Sequence, residues 1–537
     1  MVAGDGGGSG ADRVSRHTAA EKEHDLGGEE RFYFNCRVHE VMEPMVSAFS
    51  LVQERVEQPQ LHYFDSFDWR LYQNGCSLVH DGNRLALYSF GARPLSPHET
   101  VRKMPRFAWD LPAGPLRERL ASLLKMRALI HRMTVIKSSR HFRLVDKHEK
   151  TVLRMILDQN ELEFEDGRRP LPVSLTLKPL RGYGAHLKAV RSWVLQRGGT
   201  AEGPDRFGEV LRQAGQVPLD YQPKPNLDFQ PDERADHALK QLLIRLLGTM
   251  ERNESGILAD LDSEFLHDFR VAVRRTRSAL GQLKGVLPME WERWARAQFA
   301  LLGTATNDLR DLDVYLLEMP RYRQWVPAAL EEGLKPFSRG LSRRRGGALK
   351  KLKTLLQGTE YAEFKTRWLS FLTEPDDGFP GPKGGVPIAK IAQKTIWKSY
   401  ARILRTVADL APDTLENDFH RLRIQCKKLR YLLEFFVALF PKPRVDELTA
   451  SLKELQNRLG TLSDLAVQQS FLQTFAQKVK DRNAVILFLA LGCLIGRFQE
   501  RRGRLKLKCL KAAQSFGNRE TQELFRQLCG KRSGDGS

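Results

Sequence analysis

Between residues 31 and 198 the chain mixes short stretches of period two with short stretches of helical period. Arg84-Leu-Ala-Leu-Tyr-Ser-Phe90 and Val173-Ser-Leu-Thr-Leu177 set apolar side chains on alternate residues, the spacing of strands with one buried face. Beyond Pro231 the spacing changes. Apolar residues recur at i, i+3, i+4 and i+7 in one long segment after another, which predicts amphipathic helices packed as bundles. Between the two patterns lie GGTAEGPD and VPLDYQPKPNLDFQP, whose prolines and glycines predict a linker. A second break, Glu374 to Pro387, divides the helical region into nearly equal halves. The thirteen-residue apolar run Ala484 to Gly496 is too short to span a bilayer and predicts a fully buried helix.

The boundaries that follow are a Gly- and Ser-rich disordered tail over 1–28, a β-rich domain over 29–200 and a linker over 201–231. A first helical half then runs over 232–373, a linker over 374–387, a second helical half over 388–530 and a tail over 531–537. The fold class is α+β.

The two helical halves repeat each other. His267-Asp-Phe-Arg270-Val-Ala-Val-Arg274-Arg275-Thr-Arg277 and His420-Arg-Leu-Arg423-Ile-Gln-Cys-Lys427-Lys428-Leu-Arg430 both read HxxR[VI]xx[RK][RK]xR, 153 residues apart. The same interval carries Asp311-Leu-Asp313-Val onto Asp464-Leu-Ala466-Val, and two motifs at one register establish an internal duplication. At about 100° per residue, Arg270, Arg274 and Arg277 fall at about −60°, −20° and −80° from His267, sharing one stripe. Leu266, Phe269, Val273 and Leu280 form an apolar face beside it. His420, Arg423, Lys427 and Arg430 make the second stripe.

Charge sharpens this pattern. The chain carries 86 Lys and Arg against 65 Asp and Glu, a net +21. From Pro231 onward there are 53 basic and 36 acidic residues, a surplus of 17, so the helical region holds most of the excess. Such a surplus implies a polyanionic partner: nucleic acid, an anionic membrane surface or a phosphate polymer. Like charges on one helix face repel, and neither stripe contains an acidic residue. A duplicated stripe therefore suits an anion-binding groove, with Arg forks gripping phosphate oxygens and Lys acting as a point charge. A solvated surface, or ion pairs to the nearby Asp-rich motif, is the competing account. Each histidine is read either as a hydrogen-bonded core residue or as a phosphate contact that strengthens as pH falls.

The duplicated helix followed each time by a DLDV-type motif resembles the CHAD family (conserved histidine α-helical domain) over about residues 232–530. The resemblance implies two four-helix bundles related by a pseudo-twofold axis and a basic surface that binds inorganic polyphosphate. Carried over position by position, it implies His267, Arg270, Arg274, Arg275, Arg277, His420, Arg423, Lys427, Lys428 and Arg430 as polyphosphate-binding residues. Ala466 stands where the first copy has Asp313, so whatever Asp313 does is not duplicated.

Tyr63-Phe-Asp65-Ser-Phe-Asp68-Trp-Arg-Leu71-Tyr-Gln-Asn-Gly75, then Arg143-Leu-Val-Asp146 and Ile156-Leu-Asp158, resemble CYTH domains in their order. These are triphosphate-tunnel enzymes, and the resemblance over about residues 29–200 implies a tunnel-like barrel. The chemistry is depleted. Tunnel enzymes hold divalent metal with glutamates alternating along strands. The entry signature ExExK aligns here with Gly27, Glu29 and Arg31, a later ExE with Ser174 and Thr176, and the expected basic positions with Val79 and His80. Glu161, Glu163 and Glu165 alternate correctly but are read as a solvated strand face beside the Asp166-Gly167 turn. The domain is expected to be catalytically inactive, with no catalytic or metal-ligating residue and no cofactor. Arg132, Lys137, Arg140 and Arg143 are candidates for residual anion binding.

Six dispersed cysteines without a CxxC pair fit a reducing compartment. No signal peptide or membrane span is visible, so the expected setting is cytoplasmic, with possible partners including polyphosphate granules and no membrane. No GxxxxGK[ST], HExxH or GxSxG occurs. A metal-dependent triphosphatase or polyphosphatase is the alternative function, opposed by the missing carboxylates. A non-specific nucleic-acid binder is a weaker alternative, since no reading motif or aromatic platform lies beside the stripes.

Overall fold

The computed structural model describes residues 29–90, 94–201, 205–374, 381–479 and 484–530. Both expected tails, Gly27 and residues 375–380 of the second linker lie outside the described residues. The chain divides into two units between Tyr221 and Gln222.

The N-terminal unit is one antiparallel sheet with helices on it. In chain order its elements are β1 (Glu30–Phe34), α1 (Val38–Ala48), β2 (Leu51–Glu57), β3 (Gln60–Asp65), α2 (Arg70–Gln73), β4 (Cys76–His80), β5 (Arg84–Ser89) and β6 (Glu99–Thr100). There follow α3 (Pro115–Leu124), β7 (Ile130–Val145), β8 (Thr151–Phe164), β9 (Gly167–Pro170), β10 (Val173–Pro179), α4 (Gly184–Gln196), β11 (Thr200–Ala201) and α5 (Arg206–Gln213). The strand order is β11-β1-β10-β8-β7-β3-β4-β5-β6, with β2 also on β7 and β9 also on β8. The sheet is tunnel-like, and among the described residues its hydrogen-bonded path ends at β6 and β11. The sixteen-residue β7 organises it, pairing along its length with β8 and on its other edge with β3 and then β2.

The pleat separates two environments. Phe32, Phe34, Leu144, Met155, Leu157, Val173, Leu175 and Leu177 face Val41 and Met45 of α1 and Val190, Trp193 and Val194 of α4 in one apolar core. The other face is polar: Ser139, Asp158, Ser174 and Tyr33 stand opposite one another across four strands. α5 falls inside the stretch read as a linker, and its buried Leu211 joins Trp69, Met133, Val135 and Leu162 in a separate cluster.

The helical unit contains α6 (Ala235–Leu258), α7 (Ser263–Gln282), α8 (Met289–Ala305), α9 (Asn307–Trp325), α10 (Leu334–Leu356) and α11 (Thr359–Thr373) in its first half. The second half holds α12 (Ile388–Ala408), α13 (Glu416–Phe435), α14 (Lys442–Lys478), α15 (Val485–Phe516) and α16 (Arg519–Leu528). The duplication is visible in helix starts: 388 − 235, 416 − 263 and 442 − 289 are each 153. α14 alone spans what α8 and α9 cover together, since 478 − 325 is also 153. The copies begin differently. Asp262 caps α7 by accepting from the amides of Glu264 (2.8 Å) and Phe265 (3.2 Å), whereas Leu415 gives α13 no side-chain cap. Gly256 lets α6 approach α7, because a Cβ there would lie 2.1 Å from the Phe265 ring.

The last long helices of the two halves share one core, in which Leu312, Tyr322, Phe337 and Leu341 meet Leu465, Leu472, Leu491 and Phe498. The apolar run at 484–496 corrects the expectation of full burial. Leu487, Ala490, Leu491 and Leu494 are buried, while Val485, Ile486 and Leu489 are at least half exposed, so helix α15 begins as an amphipathic helix. No helix among the described residues is long and apolar enough to cross a membrane.

Candidate polyanion-binding groove

The two repeated helices, α7 and α13, pack against each other. Gln282 of α7 donates to the carbonyl of Lys428 on α13 at 3.2 Å, and Arg275 of α7 donates to Glu434 of α13 at 2.7 Å. Beside this contact opens a groove of about 1460 Å³, walled by α7 and α8 on the first-half side and α12 and α13 on the other. Among the described residues its lining holds ten Lys or Arg side chains and one carboxylate, Glu292. That ratio decides the electrostatics: a concave wall with one sign of charge concentrates counter-ions of the other.

Four residues expected from the repeated motif line this groove: Arg274 and Arg277 from α7, and Lys427 and Lys428 from α13. The side-chain Nε of Arg274 is buried without a hydrogen-bond partner. Lys427 is half-buried, and its desolvation, with Arg423, Arg274 and Arg430 nearby, lowers its pKa to about 8 against the opposing pull of Asp464.

The other motif residues go elsewhere. Arg270 donates to the Gly303 carbonyl (3.2 Å), the Thr306 hydroxyl (2.6 Å) and the Asn307 side chain (2.8 Å), bracing the junction between α8 and α9. Burial, then Arg274, brings its pKa down to about 10. Arg423 pairs with Asp464 at 3.0 Å, and Arg430 pairs with Glu434 at 3.2 Å. Arg423 thus forms the ion pair to the Asp-containing motif that the competing account describes, whereas Arg430 pairs within its own helix. Arg275 is buried between the Pro223 carbonyl (2.6 Å) and Glu434 and does not line the groove. His267 is half-buried, and His420 is exposed with Nδ1 3.1 Å from the Ser463 hydroxyl. Asp313, the unduplicated acid, shares Arg345 with Asp260, at 2.6 Å from each of the two carboxylates.

Six groove cations lie outside the motif: Lys284, Arg293, Arg296, Lys383, Lys398 and Arg402. A signal for the last two was present. Lys390, Lys394, Lys398 and Arg402 recur every four residues along α12, and all four are exposed.

The N-terminal unit arranges its polar face around Asp158. Its carboxylate accepts from Ser139 (2.5 Å) and Ser174 (3.4 Å) and pairs with Lys137 at 3.2 Å. Arg31 donates to Thr176 at 3.2 Å and Glu29 pairs with Lys178 at 2.7 Å. No group of three or more His, Cys, Asp or Glu among the described residues is arranged to hold a metal ion. The four anion candidates do not converge. Lys137 and Arg143 share the polar face, where Arg143 meets Glu54 at 3.2 Å. Arg140 points to the opposite face, its guanidinium 2.6 Å from the Met42 sulfur. Arg132 sits at a bulge of β7, over the Trp69 ring at 4.0 Å, and donates to the Ser66 and Phe67 carbonyls. Glu161 and Glu163 lie on the face opposite Asp158, with Glu163 accepting from Gln60 at 2.8 Å. Asp65 of the Tyr63–Gly75 motif is structural. It accepts from the amides of Ser66 (2.6 Å), Leu71 (2.9 Å) and Tyr72 (2.9 Å), and burial pushes its pKa up to about 6 despite those bonds.

Among solved structures, the chain is similar to the CHAD domain from the plant Ricinus communis, at 26% identity over 53% of this chain and 93% of that one, with a TM-score of 0.46. It is similar to PptA from Streptomyces chartreusis at 15% identity over 52% of this chain and 100% of that one, with a TM-score of 0.42. A third likeness is to HpAC1 from Hippeastrum, described as having a dominant triphosphatase activity, at 13% identity over 36% of this chain and 99% of that one, with a TM-score of 0.24. No curated protein matches the chain. Residues 241–473 match the family described as CHAD domain, and they take in both repeated basic helices and both Asp-containing motifs. This chain carries a CHAD domain over residues 241–473.

Proposed function

We propose that the helical unit binds inorganic polyphosphate in the groove between α7–α8 and α12–α13, and that the protein is a binding protein rather than an enzyme. The observation that carries this is the lining itself, ten cations against one carboxylate among the described residues. Arginine forks at Arg274 and Arg277 suit bidentate contact with phosphate oxygens, and the lysines supply point charges. Such a protein belongs in the cytoplasm, on polyphosphate or its granules.

Binding through counter-ion release makes affinity steeply salt-dependent. Raising salt from about 50 to about 200 mM is expected to weaken long-chain polyphosphate binding by roughly 10³-fold if six or more phosphates are contacted, taking the nucleic-acid slope as a guide. Titration at the two salt concentrations, with duplex DNA as competitor, checks this. A flat salt response removes the groove, and displacement by equimolar duplex DNA makes the protein a general polyanion binder.

The N-terminal unit is expected not to hydrolyse tripolyphosphate or ATP with Mg²⁺ or Mn²⁺. Its polar face presents Asp158 already bound to Lys137, Ser139 and Ser174, and hydroxyl residues, Ser174 and Thr176, at the positions aligned with metal-binding glutamates. Phosphate release that disappears on Asp158→Asn would make that face an active site after all.

A further inference from the structure

We propose that Lys427 is an acyl-acceptor site, its amine taking the acyl group of an acyl phosphate drawn into the groove by the guanidinium groups around it. The inference rests on the reading that the groove takes phosphate groups, and adds a covalent modification to it.

Position sets Lys427 apart. Of the five groove lysines, Lys284, Lys383, Lys398 and Lys428 are exposed, and Lys427 is half-buried. Its flanking residues on α13 have carboxylate partners, Arg423 with Asp464 at 3.0 Å and Arg430 with Glu434 at 3.2 Å. No carboxylate of a described residue comes within 4.0 Å of the Lys427 ammonium. The charged groups acting on it are Arg423 and Arg430 from its own helix, Arg274 from α7 and, in the opposite sense, Asp464 from α14. Three cations and partial burial disfavour the ammonium form, so a large share of the amine is neutral near pH 8. A neutral lysine amine is a nucleophile, and the groove supplies a high local concentration of anions.

An acyl phosphate joins both properties in one reagent: a phosphate that the groove attracts and a carbonyl activated by that phosphate. The lone pair of Lys427 Nζ attacks the acyl carbon, forming the C–N bond. The C–O bond to phosphorus breaks, inorganic phosphate leaves with the electron pair, and the nitrogen loses a proton to solvent. Arg274, which lines the same groove and acts electrostatically on Lys427, supplies a guanidinium for the departing phosphate. The product amide removes a charge from the contact zone of α7 and α13, so acylation weakens polyanion binding.

The test incubates the full chain with acetyl phosphate at about pH 8 and follows each groove lysine by peptide mass spectrometry. Lys427 is expected to acetylate about tenfold faster than Lys398, the gain in neutral amine outweighing its lower basicity. Lys427→Arg should abolish the fast site and leave the Lys398 rate unchanged. Excess tripolyphosphate should slow acetylation of Lys427. A Lys427 rate no greater than that of Lys398 overturns the proposal, even where tripolyphosphate binding is intact by calorimetry. Fast Lys427 labelling that excess tripolyphosphate fails to slow also overturns the proposal, because the acyl phosphate is then not held by the groove, and calorimetry with tripolyphosphate shows separately whether the polyphosphate reading stands.

Discussion

Replacing Arg274, Arg277, Lys427 and Lys428 together with Gln is expected to reduce affinity for long-chain polyphosphate by about 10³-fold at about 100 mM salt. Each lost charge-assisted contact at a half-open surface contributes about 1 kcal/mol, and four of them make about three decades. The slope of log affinity against log salt should flatten by about 3. The two pairs stand on different halves of the chain, so a long polymer that touches both gains from the intramolecular second contact. Changing one pair alone should therefore cost long polymers more than short ones. Glutamine keeps helix propensity, and circular dichroism checks that α7 and α13 survive. A fourfold variant that binds within about threefold of the parent would leave these side chains as a solvated surface. Arg270, Arg423 and Arg430 are left out because the protein itself occupies them.

The largest effect on stability is expected from Arg345→Gln, at about 3 to 5 kcal/mol near pH 7. Arg345 is the cation shared by Asp260 and Asp313, and the Asp313 side chain is only 4% exposed. Burial already holds the Asp313 carboxyl above its ordinary pKa, with Arg345 opposing that rise. Without Arg345 the folded pKa climbs further. A carboxylate whose folded pKa lies above its unfolded value destabilises the fold at neutral pH, and the penalty fades as pH falls through the folded pKa. The loss should thus shrink as pH falls below neutrality. Urea unfolding of parent and variant at several pH values measures it. A loss that stays constant with pH would mean that Asp313 is not the group left exposed to the change.

Local periodicity made much of the architecture legible. Strands at Arg84–Ser89 and Val173–Pro179, the start of the helical region and the repeat interval all followed from spacing that one element imposes on its own sequence. What spacing could not show was convergence. The motif placed four cations in the groove, yet the α7–α8 loop, α8, α12 and the segment before α12 supply six more that become neighbours only when the halves fold together. Arg275 illustrates the converse. On the helical wheel it lies at about 80° from His267, well away from Arg270, Arg274 and Arg277, and it is buried against Glu434. Lys428 occupies the matching position of the second copy and remains exposed in the groove. The tetrad of basic residues along α12 was equally visible in the sequence. It carried no histidine and no second copy, so nothing in the duplication drew attention to it. Residues 206–213 look like linker by composition, and only the packing of Leu211 makes them part of the sheet unit.

A doubled gene starts with every contact present twice, and either copy is then free to lose what the other retains. Helix starts in this chain still keep their common interval, but the side-chain pairs inside the halves no longer do. Arg345 and its two aspartates brace the first half, where Ala466 replaces the second aspartate in the other. Arg423 meets Asp464, whereas its counterpart Arg270 has turned to Thr306 and Asn307. Arg277 opens into the groove, whereas its counterpart Arg430 is held by Glu434. The halves have ceased to be spares for each other and have become complementary parts. A chain built from two copies of either half would inherit one set of braces twice and lack the other.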